Sequence, residues 1–213
     1  MSISPEEAWD VFTRLQRRMG KKIRLGGSAV LMAWVRPEFH RRIKDFDIIL
    51  PKSLSCVERQ VPARVGTKGI YMDVLCDTFK HPLYIYMHKI LSAPVALTAF
   101  EKALGDFRRV HKTYEFLRKH RSPEIAEMYL EDLAHAFAKS VEASMQQRER
   151  DRFALLFEPD PGETIVRSFR RVASKDPLLA DFLKRVLRRS IEYLPNKYKR
   201  TITKAWRGIL DDR

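Results

Sequence analysis

Two short stretches set narrow limits on what this chain can fold into. Leu25-Gly26-Gly27-Ser28 opens an apolar run reaching Val35, and Lys44-Asp45-Phe46-Asp47-Ile48 follows it. In an extended strand successive side chains alternate faces, so Asp45 and Asp47 stand on one side while Phe46 and Ile48 turn into a core. A second hydrophobic segment, Ile70 to Leu75, carries Asp73 and can set a third carboxylate beside the pair. Carboxylates that close repel one another unless a cation intervenes, which makes the cluster a seat for hard divalent ions. Mg²⁺ shares its oxygen coordination between protein carboxylates and substrate phosphates. Two such ions can activate an attacking hydroxyl and stabilise a leaving pyrophosphate. Gly26 and Gly27 let the backbone approach a phosphate where a helix begins, and Ser28 adds a hydroxyl.

The order of these features is Gly-Gly-Ser, a helix with basic residues near its end, Asp-x-Asp, then a separate hydrophobic-Asp-hydrophobic strand. It resembles the DNA polymerase β-type nucleotidyltransferase superfamily over residues 20 to 120. The long interval between Gly27 and Asp45 looks closest to abortive-infection toxins and related antitoxin-paired nucleotidyltransferases. The resemblance implies an α+β fold, a small mixed sheet flanked by helices. It also implies two Mg²⁺ ions, with Mn²⁺ as a substitute, and transfer of NMP from an NTP to a hydroxyl. Asp45, Asp47 and Asp73 match its catalytic metal ligands, with Asp77 the alternative third ligand. Gly26, Gly27 and Ser28 match its triphosphate turn. Arg41, Arg42 and Lys44 fall where the group places a basic residue before its first Asp, and Arg42 and Lys44 are the nucleotide-binding candidates among them. Lys102 falls near a helical lysine that reaches the triphosphate in that group. A later Lys-Asp pair is half matched, since Lys112 is followed by Thr113.

The formal net charge of +14 points to a polyanion as partner, because neutralising phosphates releases condensed counterions. A nucleic acid is expected, RNA or tRNA before DNA; an acidic protein is the other reading, and an antitoxin or regulatory protein is a further partner the resemblance suggests. The chain has only two cysteines, Cys56 and Cys76, and no array of zinc spacing, so a reducing, cytoplasmic setting is expected. It shows no signal-peptide pattern and no apolar run of about eighteen residues, and no membrane partner is expected.

Ser4-Pro5-Glu6-Glu7 is a helix start, with a serine cap, proline in the first turn and acids behind it. The pattern predicts a helix over 4–19, a strand over 21–25, a helix over 29–35 stopped by Pro37, and a strand through Leu50. Residues 52–68 read as polar and irregular, anchored by Val57 and Val61. Residues 83–90 read as a further strand, with Tyr84, Tyr86 and His88 on one face. From Pro94 the period becomes helical: 95–104, 107–120 and 123–150. After a break at 158–162, helices are predicted over 165–172, 178–193 and 198–210. The expected organisation is a nucleotidyltransferase core over 1–92, a helical region packed on it over 93–157, and an all-helical basic module over 158–213. In that module Arg167, Arg170, Arg171, Arg185, Arg188, Arg189, Lys199 and Arg200 are the expected nucleic-acid contacts, held to phosphates and not to base edges. The expected function is Mg²⁺-dependent transfer of NMP to a nucleic-acid hydroxyl, such as an RNA 3′ end, in a toxin-like enzyme. Modification of a protein or small molecule, and a degenerate nucleic-acid-binding subunit, are the alternatives.

Overall fold

Asp45–Pro51 forms the second strand, β2, which is paired along both of its edges. The structure is a computed structural model, and it describes residues 2–20, 23–51, 57–77, 83, 97–150 and 160–210. By their contacts the residues form two compact units, Met1–Leu83 and Tyr84–Arg213. The sequence pattern alone predicts boundaries at 92 and 157.

The first unit begins with α1 (Pro5–Met19), whose start is built by a reciprocal cap: Ser4 Oγ accepts from the Glu7 amide at 3.1 Å, and Glu7 Oε2 accepts from the Ser4 amide at 2.7 Å. A cap of this kind is worth about 1 kcal/mol. β1 (Arg24–Gly26) then runs into the six-residue helix α2 (Gly27–Met32), and a short 3-10 turn at Pro37–Phe39 leads towards β2. β3 (Arg59–Val65) and β4 (Lys68–Asp77) complete a four-stranded mixed sheet in the order β1-β2-β4-β3. β2 pairs parallel with β4, while β1–β2 and β3–β4 are antiparallel.

Alternation along the strands decides which face is buried. Leu25, Phe46, Ile48, Val65 and Ile70 pack with Ile3, Ala8, Ala29 and Ile43 in one core, and Phe46 is 1% exposed. Burying a side chain of that size favours folding by about 2–3 kcal/mol. Trp9 of α1 fixes the two helices to each other by donating Nε1–H to the Ala29 carbonyl at 3.0 Å.

Three expectations for this unit fail. Residues 59–65 form a strand where an irregular segment was expected, because β3 is an edge strand: it tolerates Pro62, and only Val61, Ala63 and Val65 need face inward. Val57, expected as an anchor, is 72% exposed. Cys76 is disulfide-bonded, where the low cysteine count had pointed to a reducing setting. The strand expected over 83–90, with Tyr84, Tyr86 and His88, lies outside the described residues apart from Leu83, which is buried.

The second unit is helical where it is described: α3 (Leu97–His120), α4 (Pro123–Arg150), α5 (Pro161–Ala173), α6 (Pro177–Tyr193) and α7 (Asn196–Leu210). α3 is continuous where two helices were expected, since Gly105 does not interrupt it. Asp160 and Asp176 cap α5 and α6, each followed by proline. Phe107, Phe137 and Phe182 join α3, α4 and α6 with ring centroids 5.4–5.5 Å apart. α7 buries Tyr198, Ile202, Ala205 and Ile209 along one stripe. Among the described residues no helix is long and apolar enough to cross a membrane.

Candidate functional site

The register of the sheet gathers the expected residues of the first unit. Asp47 lies opposite Gly26 of β1 on one side and opposite Asp73 of β4 on the other, so the three occupy one row across the sheet. Asp45, two residues earlier on β2, shares that face and lies opposite Tyr71, which is 55% exposed. Asp45, Asp47 and Asp73 are all only partly covered, whereas Phe46 and Ile48 behind them are buried. Neighbouring strands are about 4.8 Å apart, which brings the Asp47 and Asp73 backbones that close.

The glycine turn is fitted to Asp47. Gly27 has φ +61°, the left-handed region that glycine enters without strain, and a Cβ on it would sit 1.8 Å from Asp47 Oδ2. The backbone at the start of α2 therefore lies against that carboxylate. Ser28, next in the chain, is 9% exposed, and its Oγ accepts from Arg41 Nη2 at 2.7 Å. Asp73 is oriented from the opposite side: Gln60, its register partner on β3, donates Nε2–H to Oδ1 at 2.8 Å.

The basic residues before Asp45 divide. Arg41 reaches the glycine turn through Ser28 and also donates to the Arg42 carbonyl at 3.0 Å. Arg42 instead donates from Nε and Nη2 to Ser2, at 2.9 Å to its Oγ and 2.6 Å to its carbonyl, bracing the bridge between Ile3 and Ile43. Lys44 is exposed on the bend before β2. Thus Arg41, not its neighbour, is the cation attached to the turn. The signal for this was available: Ile43 must point inward, which throws Arg42 to the far side. Gln60 was missed because its strand was not recognised. The side chain of Asp77, at the end of β4, lies outside what is described.

Among the described residues no group of three or more His, Cys, Asp or Glu side chains is placed to hold a metal by itself. Mg²⁺ commonly takes one or two carboxylates and completes its shell with water and substrate phosphates. An all-oxygen row with Asp47 and Asp73 at one register, and backbone rather than side chain filling the space before Asp47, fits such an ion in donor chemistry.

In the second unit Lys102 is exposed on α3. The expected arginines again divide. Arg185 is held by three carboxylates: Nη1 donates to Glu127 Oε2 at 2.7 Å and Glu131 Oε1 at 3.2 Å, and Nε donates to Asp181 Oδ2 at 3.1 Å. Arg189 donates Nη2–H to Glu131 at 2.9 Å. Both are fastened to α4 and serve packing. Arg167, Arg170, Arg188 and Arg200 are exposed, Lys199 is half-buried, and Arg171 has a buried Nε. No family model, no curated relative and no solved structure matches the chain.

Proposed function

We propose that the acid row and glycine turn of the first unit transfer a nucleoside monophosphate from an NTP to a hydroxyl on a nucleic acid, RNA before DNA. The observation that carries this reading is the position of Asp47, in register with both Gly26 and Asp73 and with the Gly27 backbone against its carboxylate. A carboxylate row beside a side-chain-free turn is a place where a triphosphate can come close to divalent ions without steric opposition.

Asp45, Asp47 and Asp73 would hold Mg²⁺, which when bound supplies charge neutralisation at the α-phosphate and the departing pyrophosphate. The chain's own groups supply position. Gly27, having no Cβ, lets the turn lie directly against the Asp47 carboxylate, and Arg41 holds Ser28 Oγ, fixing that hydroxyl at the turn. Gln60 fixes Asp73, whose carboxylate is suited to receive the proton of the attacking hydroxyl. In-line attack on phosphorus demands mainly such positioning and charge stabilisation. The toxin-like character and any antitoxin partner belong to the same proposal, supported only by the resemblance of the motifs.

The test is incubation of the protein with Mg²⁺, each labelled NTP in turn, and total cellular RNA, with Asp45→Ala/Asp47→Ala as control. Label on RNA from the wild type alone is the expected result. Label on protein or a small molecule would move the acceptor, and no label anywhere would remove the transferase reading.

A further inference from the structure

We propose that the cationic face of α7, together with the recess it shares with α5, binds the phosphodiester backbone of a nucleic acid. This inference stands on the charge and shape of the second unit and does not need the transfer chemistry.

α7 carries Lys197, Lys199, Arg200, Lys204 and Arg207 and no acid. Its buried stripe of Tyr198, Ile202, Ala205 and Ile209 fixes its rotation, so Arg200, Lys204 and Arg207 share the opposite face at helical spacing. They cover about 10 Å of helix axis. Lys199, Arg200, Thr203, Lys204 and Arg207 line a groove of about 1100 Å³, and a recess beside it adds Arg167 and Arg170 from α5. The two helices approach closely at glycines: a Cβ on Gly208 would lie 3.2 Å from Val166, and one on Gly162 would lie 3.6 Å from the Thr201 carbonyl.

The carboxylates nearby do not cancel this charge. Glu163 lines the recess, Asp160 pairs with Lys204, and Glu149 pairs with Lys197. The Lys204 and Lys197 side chains are still 62% and 66% exposed, and pairs so open to water are worth little and yield to a phosphate. Arg200 and Arg207 are exposed, and among the described residues neither has a carboxylate partner. Arg185 and Arg189, by contrast, are bound to α4 and take no part.

An anionic membrane would also attract these cations, but a helix that lies on a bilayer must present an apolar face to it. The apolar face of α7 is buried in its own unit. A row of exposed cations along one helix, continued by Arg167 and Arg170 in the recess beside it, suits a backbone of regularly spaced phosphates.

The test uses the full chain carrying Asp45→Asn, without Mg²⁺ or NTP, so that no transfer can occur. Binding of labelled single-stranded RNA, the same sequence as DNA, and duplex DNA is followed by anisotropy across a range of salt. Arg200→Gln/Arg207→Gln is compared with the charge-matched control Arg17→Gln/Arg18→Gln, exposed on α1. Removing two phosphate contacts should lower the slope of log K against log salt by about 1.4 for a single strand, with at least a tenfold loss of affinity near physiological salt. The control should keep the wild-type slope, and Arg200→Lys/Arg207→Lys, which keeps both charges, should keep most of the affinity. Equal losses in the groove variant and the control, or an unchanged slope, would overturn the proposal. So would Arg200- and Arg207-dependent binding to phosphatidylserine vesicles without binding to any nucleic acid. Whichever nucleic acid binds most tightly identifies the backbone the groove prefers.

Discussion

Gly27 and Asp47 occupy space that only one of them can fill: the carboxylate takes the place where any other residue at 27 would carry its Cβ. Strand β2 and the turn before α2 are thus matched to within one carbon atom, and the positive φ of Gly27 reinforces the match.

Gly27→Ala should therefore be costly twice over. A non-glycine residue held at φ +61° is strained by about 1–2 kcal/mol, and Asp47 must also move. Thermal unfolding should show a lowered midpoint, and transfer activity should fall further than stability explains, because the displaced group is Asp47. Wild-type activity in a folded Gly27→Ala protein would show that the turn is not part of the site.

Asp47→Asn removes a negative charge while keeping shape. The fold should be retained or slightly stabilised, since one source of like-charge repulsion across the row is gone. Nucleotidyl transfer should drop at least about a hundredfold, equivalent to about 2.7 kcal/mol of barrier. Circular dichroism and the labelling assay together distinguish this outcome from simple unfolding.

Gln60→Ala leaves the carboxylates in place but frees Asp73 from its neighbour on β3. Loss of a group that orients a ligand typically costs 10–100-fold in metal affinity, and an exposed amide belongs near the lower end, about tenfold. A Mg²⁺ titration of activity should show a raised half-saturation point with kcat recovered at high Mg²⁺. An unchanged titration would assign Gln60 to strand pairing alone.

The carboxyl of Glu127 is held below its ordinary value, first by the Tyr114 hydroxyl at 2.7 Å and then by Arg185. A carboxyl lowered in the folded state favours folding at pH above its ordinary value of 4.5, and that contribution is lost as pH falls through the lower folded value. Glu127 is 46% exposed at its side chain, so solvent screening keeps the contribution to about 1 kcal/mol at most. Glu127→Gln should lower the melting temperature at pH 7 and narrow the gap to wild type below about pH 4. A gap that widens in acid would contradict the pairing.

Local chemistry was legible in the sequence where it depended on neighbours along the chain. The alternation at Asp45-Phe46-Asp47-Ile48 set the two faces of β2, and Ser4 and Pro123 marked helix starts. Asp73, on a segment that alternates less cleanly, was expected near the pair, and the register puts it directly opposite Asp47. What stayed hidden depended on distant partners. Arg185 and Arg189 look like their exposed neighbour Arg188, and only Glu127 and Glu131, over fifty residues earlier, fasten them to α4. β3 was concealed by Pro62 and its polar outer residues, which an edge strand accepts and a central one does not.

Asp160 begins α5 by accepting from the Gly162 and Glu163 amides, and the same carboxylate takes Lys204 of α7. The point where one helix starts is thereby keyed to the helix it faces. Because each residue turns a helix by about 100°, shifting that start by one position would swing Arg167 and Arg170 away from the recess they line. A one-residue insertion or deletion just after Asp160 would keep the composition, charge and helix content of the region nearly unchanged, yet misalign its cations. The chain's affinity for a polyanion would then be set by helical phase rather than by how many arginines it contains.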